Sequence, residues 1–192
     1  MNATRTDSDL PHKDTAFTVI VGARGWQHGE WAGTYYPADL PAEWRLSYYA
    51  NDFSGVMVAE REWRQASPEE LRQWRKDTPE GFGFLLETAD PGTPDAVRAA
   101  GALRDRLAGF VSVGRPAPPG SLAAVPLPED PGAGPRILLL TPEDFVDRRL
   151  LGRRLTAIAR QAVPPRALIV SATAGAAAIA ELRLLAEVAG LP

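Results

Sequence analysis

Cysteine is absent from this sequence of 192 residues. Disulfides, thiolate nucleophiles and cysteine-ligated metals are therefore excluded together. Histidine is nearly absent as well. His12 and His28 are the whole supply, too few for a histidine-rich metal centre, and no metal is assigned. No apolar run reaches the roughly 20 residues that a membrane span needs, so no membrane partner is expected. The opening MNATRTDSDLPHKDT is polar and lacks a signal-peptide core, which makes the cytoplasm the expected location. Positive charge is not in excess either. A net charge of -3 and a pI near 5.5 argue against nucleic acid as a partner, because counterion displacement needs a basic face. The turn Gly22-Ala23-Arg24-Gly25 is too short for a phosphate loop and lacks its lysine. No cofactor is assigned.

What is present is ordinary for a globular chain: 45% apolar and 23% charged residues. The length suits one domain. Residues 1–15 have little to bury and read as a disordered arm, leaving 16–192 as the domain. Short β-rich runs then alternate with helical patterns. Strands are expected at Phe17 to Val21, Val56 to Val58, Phe82 to Leu86, Ile137 to Leu140 and Ala167 to Val170. A helix is expected over Pro41 to Ala50, with Leu40, Trp44 and Tyr48 on one face. Ser67-Pro68-Glu69-Glu70 has the pattern of a capping box, and Thr93-Pro94-Asp95 opens a helix that runs to Leu107. Residues 114–135 are dense in proline and glycine and read as largely irregular, with one apolar piece, Leu122 to Val125. Thr141-Pro142-Glu143-Asp144 is expected to cap a long helix bearing Leu151, Leu155 and Ile158, and an alanine-rich helix closes the chain.

Apolar strands separated by helices mean a mainly parallel sheet covered by helices. A full eightfold barrel takes about 250 residues. Room for some six strands gives an α/β reduced or incomplete TIM-type barrel, with an open doubly wound sheet as the alternative.

The segment GARGWQHGEWAGTYYP, followed by LPAEWRLSYYANDFSGV, resembles the YecE-like family (domain of unknown function 72). The carrying residues are Gly22, Gly25, Trp26, Trp31, Gly33, Tyr35, Tyr36, Pro37, Tyr48, Tyr49, Ala50 and Phe53. Trp74, Thr78, Pro79, Gly81, Phe82 and Phe84 continue the resemblance to about residue 88. It implies a TIM-type β/α barrel, shortened in its middle units. Polar residues of the family's barrel mouth are replaced: Val56, Met57, Val58 and Ala59 stand where the family reads like Val-Glu-Ile-Asn, and Glu87 stands where it has lysine. Ser171, Ala172 and Thr173 replace an asparagine-rich strand end.

Ligands of a barrel sit at the C-terminal ends of its strands. The candidate ligand-binding residues are accordingly Arg24, Trp26, His28, Glu60, Arg61 and Glu87, with Ser171 and Thr173 at the last strand end. Arg24 and Arg61 have the chemistry to clamp a carboxylate or phosphate. Glu60 and Glu87 would serve as an acid/base pair if burial separated their pKa values. The plainer reading pairs these charges with one another at the rim. His28 is read as packing or exposed, and Trp26 with Trp31 as core. Arg148, Arg149, Arg153 and Arg154 read as a solvated helix face. No catalytic residue is assigned. The sequence favours a divergent family member with a binding or interaction role. The alternative is an enzyme acting on a small anionic or sugar-like substrate at the mouth, and nucleic-acid processing comes third. The partners it admits are a small anionic ligand and a second copy of the chain.

Overall fold

The computed structural model describes residues 19–114, 116–127 and 136–191; the expected arm at 1–15 lies outside them. Among the described residues there are seven strands: β1 (Ile20–Arg24), β2 (Gly55–Val58), β3 (Gly83–Glu87), β4 (Leu107–Val113), β5 (Ser121–Pro126), β6 (Arg136–Leu140) and β7 (Ala167–Val170). Each pairs in parallel with the next, and β1 also pairs with β7. The sheet is thus a closed barrel, reduced by one strand from the usual eight. Closure leaves no unpaired edge among the described strands, so none of them offers an edge to the second copy of the chain expected as a partner. Six α-helices among the described residues pack outside it: α1 (Arg45–Asp52), α2 (Glu60–Gln65), α3 (Pro68–Lys76), α4 (Pro94–Leu103), α5 (Arg148–Ala159) and α6 (Gly175–Ala189). None, among the described residues, is long and apolar enough to cross a membrane.

Side-chain alternation divides the core in two. Ile20, Met57, Leu85, Val111, Ala124, Ile137, Ala167 and Ile169 fill the lumen. Their neighbours along each strand, such as Val21, Val56, Phe84 and Leu168, face the helices. Burial on both faces is why these strands read as continuous apolar runs.

The first three strands lie unusually close. Gly22 pairs with Gly55, and Gly55 with Gly83. A Cβ on Gly22 would stand 1.9 Å from the Gly55 carbonyl oxygen, and one on Gly55 2.4 Å from that of Gly83. The buried Tyr49 hydroxyl ties the pair together, accepting from the Ala23 N–H (2.7 Å) and donating to the Gly55 carbonyl (3.0 Å).

Several expectations are corrected. β1 does not stop at Gly22 but runs on to Arg24. The helix after it starts with a 3-10 turn, Ala42–Trp44, which shifts the phase. Leu46, Tyr49 and Ala50 are buried instead of Trp44, which is 63% exposed. The helix from Pro94 ends at Leu103 because Arg104 takes φ 51°, which frees Leu107–Val113 to become β4. β5 lies inside the stretch expected to be irregular. Thr141 caps only a 3-10 turn, Pro142–Phe145, while Asp147 caps α5 through Leu150 N–H. The Ser67–Glu70 capping box forms as expected.

Candidate functional site

Arg24 and Glu87 are the last residues of β1 and β3, with β2 between them. Counting from the lumen residues Ile20 and Leu85, alternation puts both on the inner face, at the mouth. They meet there as a fork: Arg24 Nε donates to Glu87 Oε1 at 2.5 Å, and Nη2 to Oε2 at 2.7 Å. The Glu87 side chain is 11% exposed and Arg24's is 49% exposed. The hydrogen bond to Glu87 raises the Arg24 pKa above its ordinary value, against the opposing effect of burial. Trp63 Nε1 donates to the Glu87 carbonyl at 2.7 Å, so α2 holds the end of β3 in place. Below the fork the lumen is filled by the apolar layer described above.

The other candidates are dispersed. Glu60 opens α2 and is taken by Arg64 at 3.0 Å and by the Thr88 hydroxyl at 3.3 Å. Arg61 points into solvent on the same helix and forms no ion pair among the described residues. His28 stands 2.9 Å from the Arg24 carbonyl through Nε2. A carbonyl only accepts, so that nitrogen carries the proton. The imidazole packs 4.4 Å from the Trp31 ring. Trp26 is buried edge-on against Trp74, with centroids 5.0 Å apart and planes at 85°. Trp31 is buried too. Ser171 and Thr173 share a 3.0 Å hydrogen bond with each other. The structure therefore joins Arg24 to Glu87 and places Trp26 and His28 nearby, but it does not bring Glu60 and Glu87 together as a shared pair. On α5, Arg148 pairs with Glu181 and Arg154 with Asp144. Among the described residues no group of histidine and carboxylate side chains is placed to hold a metal ion.

Two clefts open beside the mouth. The larger, about 560 Å³, runs between the loop after β1 and α6; Trp31, Tyr35, Phe53, Ala176, Ala180 and Arg183 line it. The Tyr35 hydroxyl, pushed up in pKa by burial and then by its bond to Asp52, closes one side at 2.9 Å. The smaller cleft, about 260 Å³, lies between the same loop and α2–α3. Trp26, Gln27, Glu62, Gln65, Glu70 and Trp74 form its walls, beside His28. Of these, the sequence singled out only Trp26 and His28 as candidates. Trp74 was visible in the family-like segment. Glu62 and Gln65 were not, because EREWRQ has a single apolar residue and no helical periodicity.

Comparison with known proteins agrees with this architecture. The family model described as protein of unknown function DUF72 matches residues 20–108. A DUF72 family protein of Enterococcus faecalis superposes with a TM-score of 0.55 at 12% identity, over 88% of this chain and 95% of the other. One from Thermotoga maritima does so with a TM-score of 0.52 at 17% identity, over 89% and 99%. At these identities the likeness shows the fold alone. No curated protein matches the sequence.

Proposed function

We propose that this chain, which belongs to the DUF72 family, is a binding domain whose barrel mouth is structural and not catalytic. One observation carries the reading: the bidentate Arg24–Glu87 fork set over a filled lumen. An acid/base pair needs two carboxyl groups facing one space with their pKa values driven apart. Here both oxygens of Glu87 are engaged by Arg24, and Glu60 is engaged by Arg64 and Thr88. An anionic substrate would meet a guanidinium whose charge Glu87 already offsets, with only the N–H groups outside the fork left to donate. Space for a ligand lies in the two flanking clefts instead. The proposal includes the cytoplasmic setting expected from the sequence.

The test is a thermal-shift screen of small metabolites on wild type and on Arg24→Met/Glu87→Leu, which replaces the fork by apolar side chains. Ligands that raise the melting temperature should do so in both proteins and be recovered unchanged after incubation. A ligand that wild type converts and the double variant does not would overturn the reading.

A further inference from the structure

The smaller cleft has wall chemistry that selects one class of ligand. Its apolar part is two indoles, Trp26 and Trp74, set perpendicular to each other at 5.0 Å. Its charged part is two carboxylates, Glu62 on α2 and Glu70 on α3. Gln27 and Gln65 supply amides. No lysine or arginine lines it. The nearby Arg24 is paired with Glu87 through Nε and Nη2. Glu70 accepts the Ser67 N–H, which holds its carboxyl below the usual range and keeps it ionised at neutral pH.

We propose that this cleft binds a small organic ammonium ion of the methylated-amine type. Trp26 is almost wholly buried behind Trp74, so the half-buried Trp74 ring supplies most of the aromatic surface, and an indole attracts a cation through its ring quadrupole. His28 also lines the cleft, with Nε2 turned to the Arg24 carbonyl, and the carboxylates add Coulombic attraction that no lining lysine or arginine cancels. A methylated ammonium suits apolar ring walls better than a primary one, because it has fewer N–H donors to satisfy. The walls are built before any ligand arrives. The Tyr36 hydroxyl donates to the Trp26 carbonyl at 2.7 Å, and the capping box fixes the start of the helix that carries Trp74. Preorganisation of this kind lowers the ordering cost of binding. The ligand class departs from the anion expected from the sequence, because no arginine or lysine lines the cleft while two carboxylates do.

The inference rests on the binding reading above and goes further by naming site and ligand class. Its test is calorimetric titration of the full chain with choline, and with the uncharged alcohol in which a tert-butyl group replaces the trimethylammonium. Choline should bind with a millimolar or tighter Kd, and the isostere at least about tenfold more weakly. Glu62→Gln/Glu70→Gln should weaken choline by about tenfold with little change in melting temperature, since glutamine also completes a capping box. Equal binding of the isostere, full affinity in the double variant, or absence of choline binding would each overturn the assignment. If choline fails while other metabolites still shift the melting temperature, the ligand class falls and the binding reading stands.

Discussion

The barrel has two unequal sides. From β1 to β3 each strand is followed by a helix, the strands are almost wholly buried, and glycine pairs and Tyr49 draw them together. All five tryptophans and all four tyrosines lie between residues 26 and 74. From β4 to β6 the chain passes between parallel strands through 114–120 and 127–135, with no helix among the described residues. There β4 and β5 are mostly half-buried. A parallel link ordinarily takes a dozen or more residues and a helix. Stagger removes that need here. Val113 pairs with Ala124 while Phe110 pairs with Ser121, so the chain must return only from the level of Val113 to that of Phe110. At roughly 3.3 Å per residue that is about 10 Å. β5 to β6 repeats the step, with Ala123 opposite Arg136 and Pro126 opposite Leu139. The ring thus closes with seven strands, and among the described residues no helix lies between β4 and β5 or between β5 and β6.

The contrast can be broken most directly by truncating one aromatic on each side. Trp63 is fully buried and bonded to the Glu87 carbonyl. Trp63→Ala should cost about 3–5 kcal/mol in denaturant unfolding. Phe110, half-buried on β4, should cost about half as much when cut to alanine. Equal losses would mean that the bare side is as tightly packed as the wrapped one.

A smaller effect is expected from Tyr49→Phe, which leaves a buried N–H and a buried carbonyl short of a partner and should cost about 1–3 kcal/mol. The same residue sets an alkaline limit. Burial raises the pKa of both Tyr49 and Tyr36. Their folded values lie above the unfolded one, so their contribution is complete below about pH 10 and is lost as pH rises beyond it. The melting temperature of wild type should fall above that pH, and that of Tyr49→Phe should fall less.

The smallest of these effects concerns the caps. Ser67→Ala should cost about 1 kcal/mol, whereas Thr141→Ala, which uncaps only a 3-10 turn, should cost less. The Glu70 carboxyl is depressed by its bond to Ser67 N–H. Its share of stability is present above the ordinary carboxylate pKa and is lost as pH falls through the folded value. The small difference between wild type and Glu70→Gln, whose amide does not titrate, should therefore shrink in acid.

The wrapped side was the legible one. Its strands are short, apolar and bounded by glycine, and the family-like residues cluster there. Arg24 and Glu87 could be picked out as strand-end residues, but their fork depends on the register of three strands, which no local pattern encodes. β4 was hidden because LAGFVSV follows α4 almost at once, and Leu107 fits the preceding helical spacing; only the turn at Arg104 separates the two. β5 was masked by the prolines and glycines around it. The smaller cleft was missed because half its wall comes from α2 and α3, whose polar residues carry no periodicity.

Arg24 and Glu87 act as one structural unit over a filled barrel, and a double-mutant cycle measures that coupling. Unfolding free energies would be measured for Arg24→Met, Glu87→Leu and the double variant. Removing one partner leaves the other charge at the mouth without its pair. The account predicts that the double variant loses less stability than the sum of the singles, with a coupling of about 1–3 kcal/mol. Additive losses would contradict it, because they would mean that the two side chains contribute independently and that the mouth is not held closed by their pairing.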